Sequence, residues 1–393
     1  MTIKLYEEDV YLKKSDCKII AILEIDGKSF IETDKTIFFP EGGGQPSDIG
    51  FIGESEIDDV IEKDGKILHR AKLLVGLSVG RNTNMSINWD RRLDNMQQHC
   101  GEHILSGIFM SEYKAVNKGF HMGDEVVTID VDIKDMTKTM MDKVEDMANA
   151  AIYDNAEIII HKSLTKEEAN KFNVRKETKV DEDIRMVEVK GIDIVACCGS
   201  HPSKTGEVGI IKVLKFEKYK SITRVHFVCG MRALKSFRAK QDLLTKVNQK
   251  YSSDETTLLE RLKTEEDKLK KAKSELGKLS KLVNESKAEK ILANSQANMI
   301  IEKIDNTSAD DLMSIAKRMI EVSDKLVCLA STLDLKVIML HSGVSVVHCG
   351  KFFKDNLPAF DGKGGGGDKM AQAMFKREDD IDCFFAAIKM MLK

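Results

Sequence analysis

Between residues 240 and 292 the sequence has no proline, carries Lys or Glu on nearly every turn, and sets Leu262, Leu269, Leu276 and Val283 seven residues apart. That spacing returns side chains to one face of a helix every two turns, so the stretch is constrained to be a long solvated helix, a helical hairpin or a coiled coil. Glu265, Ala272, Leu279 and Ser286 form the second row of the seam, and the polar members of that row weaken it. A helical segment placed here divides the chain. With 393 residues and roughly 150 per domain, two to three folded units are expected.

Ahead of the helical stretch, residues 1–88 show short Ile- and Phe-rich runs bounded by Gly and Asp, a β-rich, barrel-like unit. From 89 to 237 the pattern becomes mixed. Leu93, Met96, Cys100, Ile104 and Ile108 recur at helical steps, with Asp90 as the expected N-cap, and strands are read in EVVTIDVDI, AEIIIHKSL, GIDIVAC, EVGIIKVLKFEKY and ITRVHFVCG. Residues 238–295 are the helical linker, and 296–393 an α/β module with KLVCLAST, KVIMLHS and VSVVHCGK as buried strands, then GKGGGG and a terminal helix. The fold class read from this order is α+β.

Composition excludes several classes. Hydrophobic content of 42% and charged content of 32% rule out general disorder. Lys+Arg 61 against Asp+Glu 64 rules out a wholly basic, histone-like surface, although a local patch suffices for phosphate contact. Eight Cys, two of them adjacent, do not resemble a disulfide framework and point to reduced thiols or metal ligands. The N-terminus lacks the apolar core of a signal peptide, and no run approaches 18 apolar residues, so a cytoplasmic protein without membrane contact is expected.

Two short motifs carry chemistry. HCGEH places His99 and His103 at i and i+4, on one face of the expected helix. CCGSH presents Cys197 and His201 where a strand runs into a Gly-containing loop. Either pair alone is common in folded proteins; together they supply three imidazoles and one thiolate, a donor set for tetrahedral Zn²⁺. Cys198 is the rival thiolate, pointing away if Cys197 points in; Cys100 reads as a small core residue. A third motif, TDKTIFFPEGGGQPSDIG, has a bare glycine loop flanked by the Thr36 hydroxyl and the Gln45 amide.

DKTIFFPEGGGQPSDIG, WDRRLDNMQQHCGEHILSGIF, GFHMGDEV and CCGSHPSKTGEVGIIKV, in this order, resemble the editing domain of alanyl-tRNA synthetases and its free-standing AlaX-type relatives. GKGGGGDKMAQA is similar to the glycine-rich segment of the DHH-associated domain at the synthetase C-terminus, although Gly367, Asp368 and Lys369 stand where that pattern has Arg-Pro-Asp. No DHH triplet occurs, which disfavours a phosphoesterase. The motifs begin near residue 1, so the long AlaX form is expected, with no aminoacylation domain ahead of it. The resemblance implies zinc on His99, His103, Cys197 and His201, a pocket lined by Thr36 and Gln45, and hydrolysis of Ser-tRNA(Ala), in some members Gly-tRNA(Ala).

A synthetase pocket shaped for alanine discriminates only ~10²-fold against an added hydroxyl, whereas a site that bonds that hydroxyl reaches ~10⁴. Thr36 is the expected partner of the serine hydroxyl, with Gln45 and the N–H groups of Gly43 and Gly44 near the developing oxyanion. Lys212, Lys215, Lys218, Lys220 and Arg224 form an expected phosphate-contacting strand. Lys363 is expected to contact tRNA from the C-terminal module, which in the family binds tRNA and supports a homodimer. The competing readings are a non-catalytic tRNA-binding protein with a structural zinc and, less well matched, threonyl-type editing.

Overall fold

Two Asp-Gly pairs fix hairpins in the N-terminal sheet. Asp26-Gly27 and Asp64-Gly65 all have positive φ, the backbone a two-residue turn needs to match the twist of its strands. In the computed structural model, which describes residues 2–172, 174–175 and 181–392, the chain forms two units, Met1–Lys246 and Val247–Lys393.

In the first unit the strands Lys14–Ile25, Lys28–Thr33, Lys66–Ala71, Ser55–Lys63, Gly50–Ile52 and Asn82–Ile87 close, in that order, into a barrel. Closure leaves no sheet edge, and the interior is filled by Ile19, Ile31, Phe38, Ile52, Val60 and Ile67. The mixed pattern that follows becomes the helix Trp89–Tyr113. Its N-cap is Asn88, whose side chain accepts from Arg91 N, in place of the expected Asp90. Asp90 sits two residues further on, within the first turn, where its charge still favours the helix N-terminus. From Met96 to Phe109 almost every side chain of this helix is buried. A four-stranded antiparallel sheet, ordered Ile211–Tyr219, Ile222–Cys229, Val127–Val131 and Asn117–Met122, contributes to the core around it, as does the helix Lys138–Tyr153. A three-stranded sheet, Ile158–Leu164, Ile184–Val189 and Asp193–Ala196, carries the second metal motif at its end.

The second unit holds a five-stranded sheet in the order Met299–Ile304, Leu326–Ser331, Lys336–Leu340, Met370–Met374 and Lys363–Gly366, parallel only between the first two. Helix Ala309–Glu321 packs on one face, and helices Cys349–Asn356 and Glu378–Met391 belong to the core on the other. The fold is thus mixed α+β. One strand expectation fails here: of VSVVHCGK, residues 344–348 are a loop, with Val346 fully exposed, and Cys349, Gly350 and Lys351 open the helix Cys349–Asn356. His341 closes that loop by bonding Val347 O and Gly343 N, so local hydrogen bonds override the apolar alternation. The heptad stretch is two helices, Gly230–Tyr251 and Leu258–Ala293, interrupted where Asp254 Oδ1 accepts the N–H groups of Thr256 and Thr257. Leu269, Leu276, Leu279 and Val283 are exposed. Among the described residues no helix is long and apolar enough to cross a membrane.

Candidate metal centre

The buried helix brings His99 and His103 onto one face, and the loop after strand Asp193–Ala196 brings Cys197 and His201 against them. The donor atoms of the four residues all lie within 4.8 Å of one another. Cys197 Sγ stands 3.5 Å from His99 Nε2 and 3.3 Å from His201 Nε2. Metal bonds of ~2.3 Å to sulfur and ~2.1 Å to nitrogen at a tetrahedral angle imply an edge of about 3.6 Å, so the spacing fits one ion. Cys198, the rival thiolate, is exposed and outside the cluster.

The protonation states of Cys197 and His201 suit metal binding, whereas at His103 burial is outweighed by Asp193, Cys197 and Glu102, which raise it to about 10, so that ring must give up a proton to ligate. Burial alone would raise the Cys197 thiol, yet the imidazoles of His99 and His201 outweigh it and hold the thiol well below its usual value. Gly199 N–H also donates to its sulfur. Burial pushes His201 down to about 3, which keeps its ring neutral and a lone pair available. His201 Nδ1 is buried without a hydrogen-bond partner among the described residues.

The other two rings are oriented from behind. His99 Nδ1 lies 2.9 Å from Gln45 Oε1, an acceptor, so Nδ1 carries the proton and Nε2 is left for a metal. Gln45 is fully buried, its Nε2 donating to Ser200 Oγ at 2.6 Å and its Oε1 accepting from Ser200 N at 3.1 Å. His103 Nδ1 is held in the same way by Asp193 Oδ2 at 3.0 Å, and Asp193 is gripped by Arg175 Nε at 2.8 Å. Burial opposes ionisation of Asp193, but His103 and Arg175 overcome it and keep its pKa below the usual carboxylate value. Gly199 is required here, because a Cβ on it would lie 2.2 Å from His99 Cε1.

A cavity of about 520 Å³ opens over the cluster, with Gly43, Glu102, Phe120 and Arg185 among its walls. Phe120 stacks on His99 with 5.3 Å between centroids. Gly44, at φ +81°, passes beneath Phe120, where a Cβ would meet the ring at 2.8 Å. The N–H groups of Gly43 and Gly44 form no hydrogen bond within the described residues.

Thr36 is placed differently from the expectation. It is fully buried and is not among the residues lining the cavity. His69 Nδ1 lies 2.9 Å from Ile31 O and must donate to it, leaving Nε2 to accept the Thr36 hydroxyl proton at 2.7 Å. Burial lowers the His69 pKa to about 4, which holds that tautomer neutral. Phe38 N–H also donates to the Thr36 oxygen. Gln45, expected near the oxyanion, instead stands behind His99.

The basic strand also differs from its expectation. Lys212 pairs with Glu145, Lys215 with Glu217, and Arg224 with Asp130, opposite it in the sheet register. Lys218 and Lys220 are exposed around Tyr219, and Lys363 is exposed on the edge strand of the second unit. Glu102, Asn117, Asp193, Arg175 and Ser200 were not singled out from the sequence, although Glu102 and Ser200 lie inside the two motifs that were.

Residues 184–226 match the family model described as the threonyl and alanyl tRNA synthetase second additional domain. The chain is 29% identical to the alanyl-tRNA editing protein AlaX-L of Pyrococcus horikoshii over 389 residues, 95% of this chain and 94% of that protein. It is 26% identical to an alanine–tRNA ligase of Methanococcus aeolicus, covering 96% of this chain and 42% of the ligase. With a ligase of Ignicoccus hospitalis it shares 30% identity over 72% of this chain and 32% of the ligase. The chain therefore spans less than half the length of these ligases.

Proposed function

We propose that this chain, which resembles the long-form AlaX-type alanyl-tRNA editing proteins over nearly its whole length, is a deacylase acting in trans on mischarged tRNA(Ala). Its substrates are Ser-tRNA(Ala) and, in the same cavity, Gly-tRNA(Ala). The observation that carries this reading is the cluster of three imidazoles and one low-pKa thiol at the base of a cavity. The bound ion is Zn²⁺, for which this nitrogen and sulfur set is well suited, held by His99, His103, Cys197 and His201.

In the reaction, water adds to the ester carbonyl, the bond from that carbon to the ribose oxygen breaks, and the ribose oxygen takes up a proton. Free amino acid and tRNA leave. When bound, zinc supplies positive charge beside the reacting carbonyl. Gly43 and Gly44, whose N–H groups have no partner among the described residues, are the donors proposed for the developing oxyanion. Gln45 is a positioning residue that fixes the His99 tautomer. Thr36 is not carried forward as the partner of the serine hydroxyl, since its own proton is bound by His69.

In this reading residues 1–88 and 89–237 act as one editing module. Residues 238–295 are a coiled-coil linker, and 296–393 a DHH-associated-type module that binds tRNA and supports a homodimer. Lys218, Lys220 and Lys363 are the tRNA contacts the geometry leaves available; Lys212, Lys215 and Arg224 contribute only if their acidic partners yield. The second reading, a non-catalytic tRNA-binding protein, is favoured by one feature: four protein ligands close a tetrahedral site, as in structural centres.

Release of serine from Ser-tRNA(Ala) decides between them. The purified protein is expected to release serine well above the buffer rate, to leave Ala-tRNA(Ala) intact, and to lose activity on chelation. A rate equal to buffer rejects the deacylase. Gln45→Ala tests the positioning role. Loss of the acceptor behind His99 is expected to weaken zinc about 10–100-fold, read by competition with a chelator; unchanged affinity removes Gln45 from the centre.

A further inference from the structure

Glu102 lies in HCGEH, one residue before His103. Its side chain is 7% exposed, and it lines the cavity. Oε1 accepts from Ser106 Oγ at 2.6 Å and Asn117 Nδ2 at 2.7 Å, with Arg175 Nη2 3.6 Å away. Oε2 makes no hydrogen bond among the described residues and stands 3.8 Å from His103 Nε2, the nitrogen facing the donor cluster. One oxygen is tied back into the protein; the other has accepting capacity beside the metal donors.

The wall carries three cations, Lys118, Arg175 and Arg185, and none bonds Oε2: Lys118 pairs with Asp132, and Arg185 Nη1 donates to Cys197 O. Arg175 is already held by Asp193 through two bonds, so a single guanidinium serves two buried carboxylates. Asp193 is spent on His103 and Arg175 and does not line the cavity. Asp183, the other acid in the wall, is exposed. A buried carboxylate with a free oxygen is most stable opposite a positive donor. An aminoacyl ester brings one such group, the α-ammonium on the carbon next to the scissile carbonyl.

We propose that Glu102 Oε2 receives the α-ammonium of the aminoacyl ester, so that the cavity selects esters with a free α-amino group over α-hydroxy or N-acylated ones. The assignment rests on the editing reading above. It makes Glu102 a substrate-binding residue, in contrast to a prop for Asn117 and Ser106, whose loss would affect every ligand equally.

The test uses two non-hydrolysable probes, 3′-seryl-amido-3′-deoxyadenosine and its counterpart with an α-hydroxyl replacing the α-amino group. Their affinities are measured by calorimetry on the zinc-loaded full chain. The wild type is expected to prefer the amino probe about 10–100-fold, the range for a hydrogen bond to a charged group. In E102Q that preference should fall to within about threefold, with the hydroxy probe unaffected. Equal binding of both probes by the wild type overturns the assignment, as does an E102Q preference that survives or a parallel loss of both probes. Should E102Q fail to retain zinc, Glu102→Asp, which keeps the charge and shortens the reach, must show a reduced preference, and an undiminished one is equally fatal. If the wild type binds neither probe and releases no serine, the editing reading itself has failed. If it releases serine yet binds both probes alike, only the role of Glu102 is lost.

Discussion

Cys197→Ser is expected to strip the centre of metal and, with it, the deacylase activity. A serine hydroxyl does not ionise near neutral pH, so the variant loses the anionic ligand that the flanking imidazoles stabilise. Zinc in a four-ligand site contributes roughly 10–16 kcal/mol; an equal share for one ligand is about 3 kcal/mol, or at least ~10²-fold in affinity. Metal per chain, measured by elemental analysis after dialysis against a weak chelator, should fall to a trace, and serine release should fall by at least the same factor. Cys198→Ser is the control. Its side chain is exposed and outside the donor cluster, so both quantities should stay at wild-type levels. A Cys197→Ser protein that keeps its metal would mean the thiolate is not a ligand. One that loses metal yet hydrolyses at the full rate would leave the ion a structural part of a deacylase that does its chemistry without it.

The donor quartet was legible because each pair is local. An i, i+4 pair on a helix and a Cys-x-x-x-His loop constrain their own geometry before any tertiary contact forms. Their orientation was not legible: Gln45 stood out only as a pocket residue and Asp193 not at all, because they lie 54 and 90 positions from the rings they hold, and no local rule links them. Thr36 shows the opposite error. Nearness to the glycine loop in sequence suggested a place in the cavity, but the side chain is buried against His69 of the strand Lys66–Ala71, a partner 33 positions away that no local rule supplies. The ion pairs of the basic strand were beyond reach of a count of its charges, since Lys212 meets Glu145 of the helix Lys138–Tyr153, Lys215 meets Glu217 two residues on, and Arg224 meets Asp130 of the next strand.

Arg92→Met is expected to cost about 3–5 kcal/mol of folding stability, because it leaves Asp48 buried without its counter-charge. Both side chains are inaccessible to solvent. Arg92 Nε reaches both Asp48 oxygens, at 3.1 and 3.0 Å, Nη2 bonds Asp48 Oδ2 as well as Ile37 O, and Nη1 bonds Val10 O. Asp48 also accepts Phe39 N–H at 2.7 Å. Arg92 belongs to the helix that carries His99, while Phe39 and Asp48 bracket the loop that carries Gln45. The pair therefore ties the barrel to the metal helix and sets the distance across which Gln45 meets His99. Urea unfolding of the apo protein reads the stability term. Pairing Arg92→Met with Asp48→Asn removes the stranded charge and should recover more than half of the loss, a non-additivity expected of directly bonded partners. Chelator competition reads the second consequence: zinc affinity should fall in Arg92→Met even though no ligand has changed. A loss below about 1 kcal/mol, the size expected of an exposed ion pair, would mean that the barrel and the helix are held together by apolar packing alone.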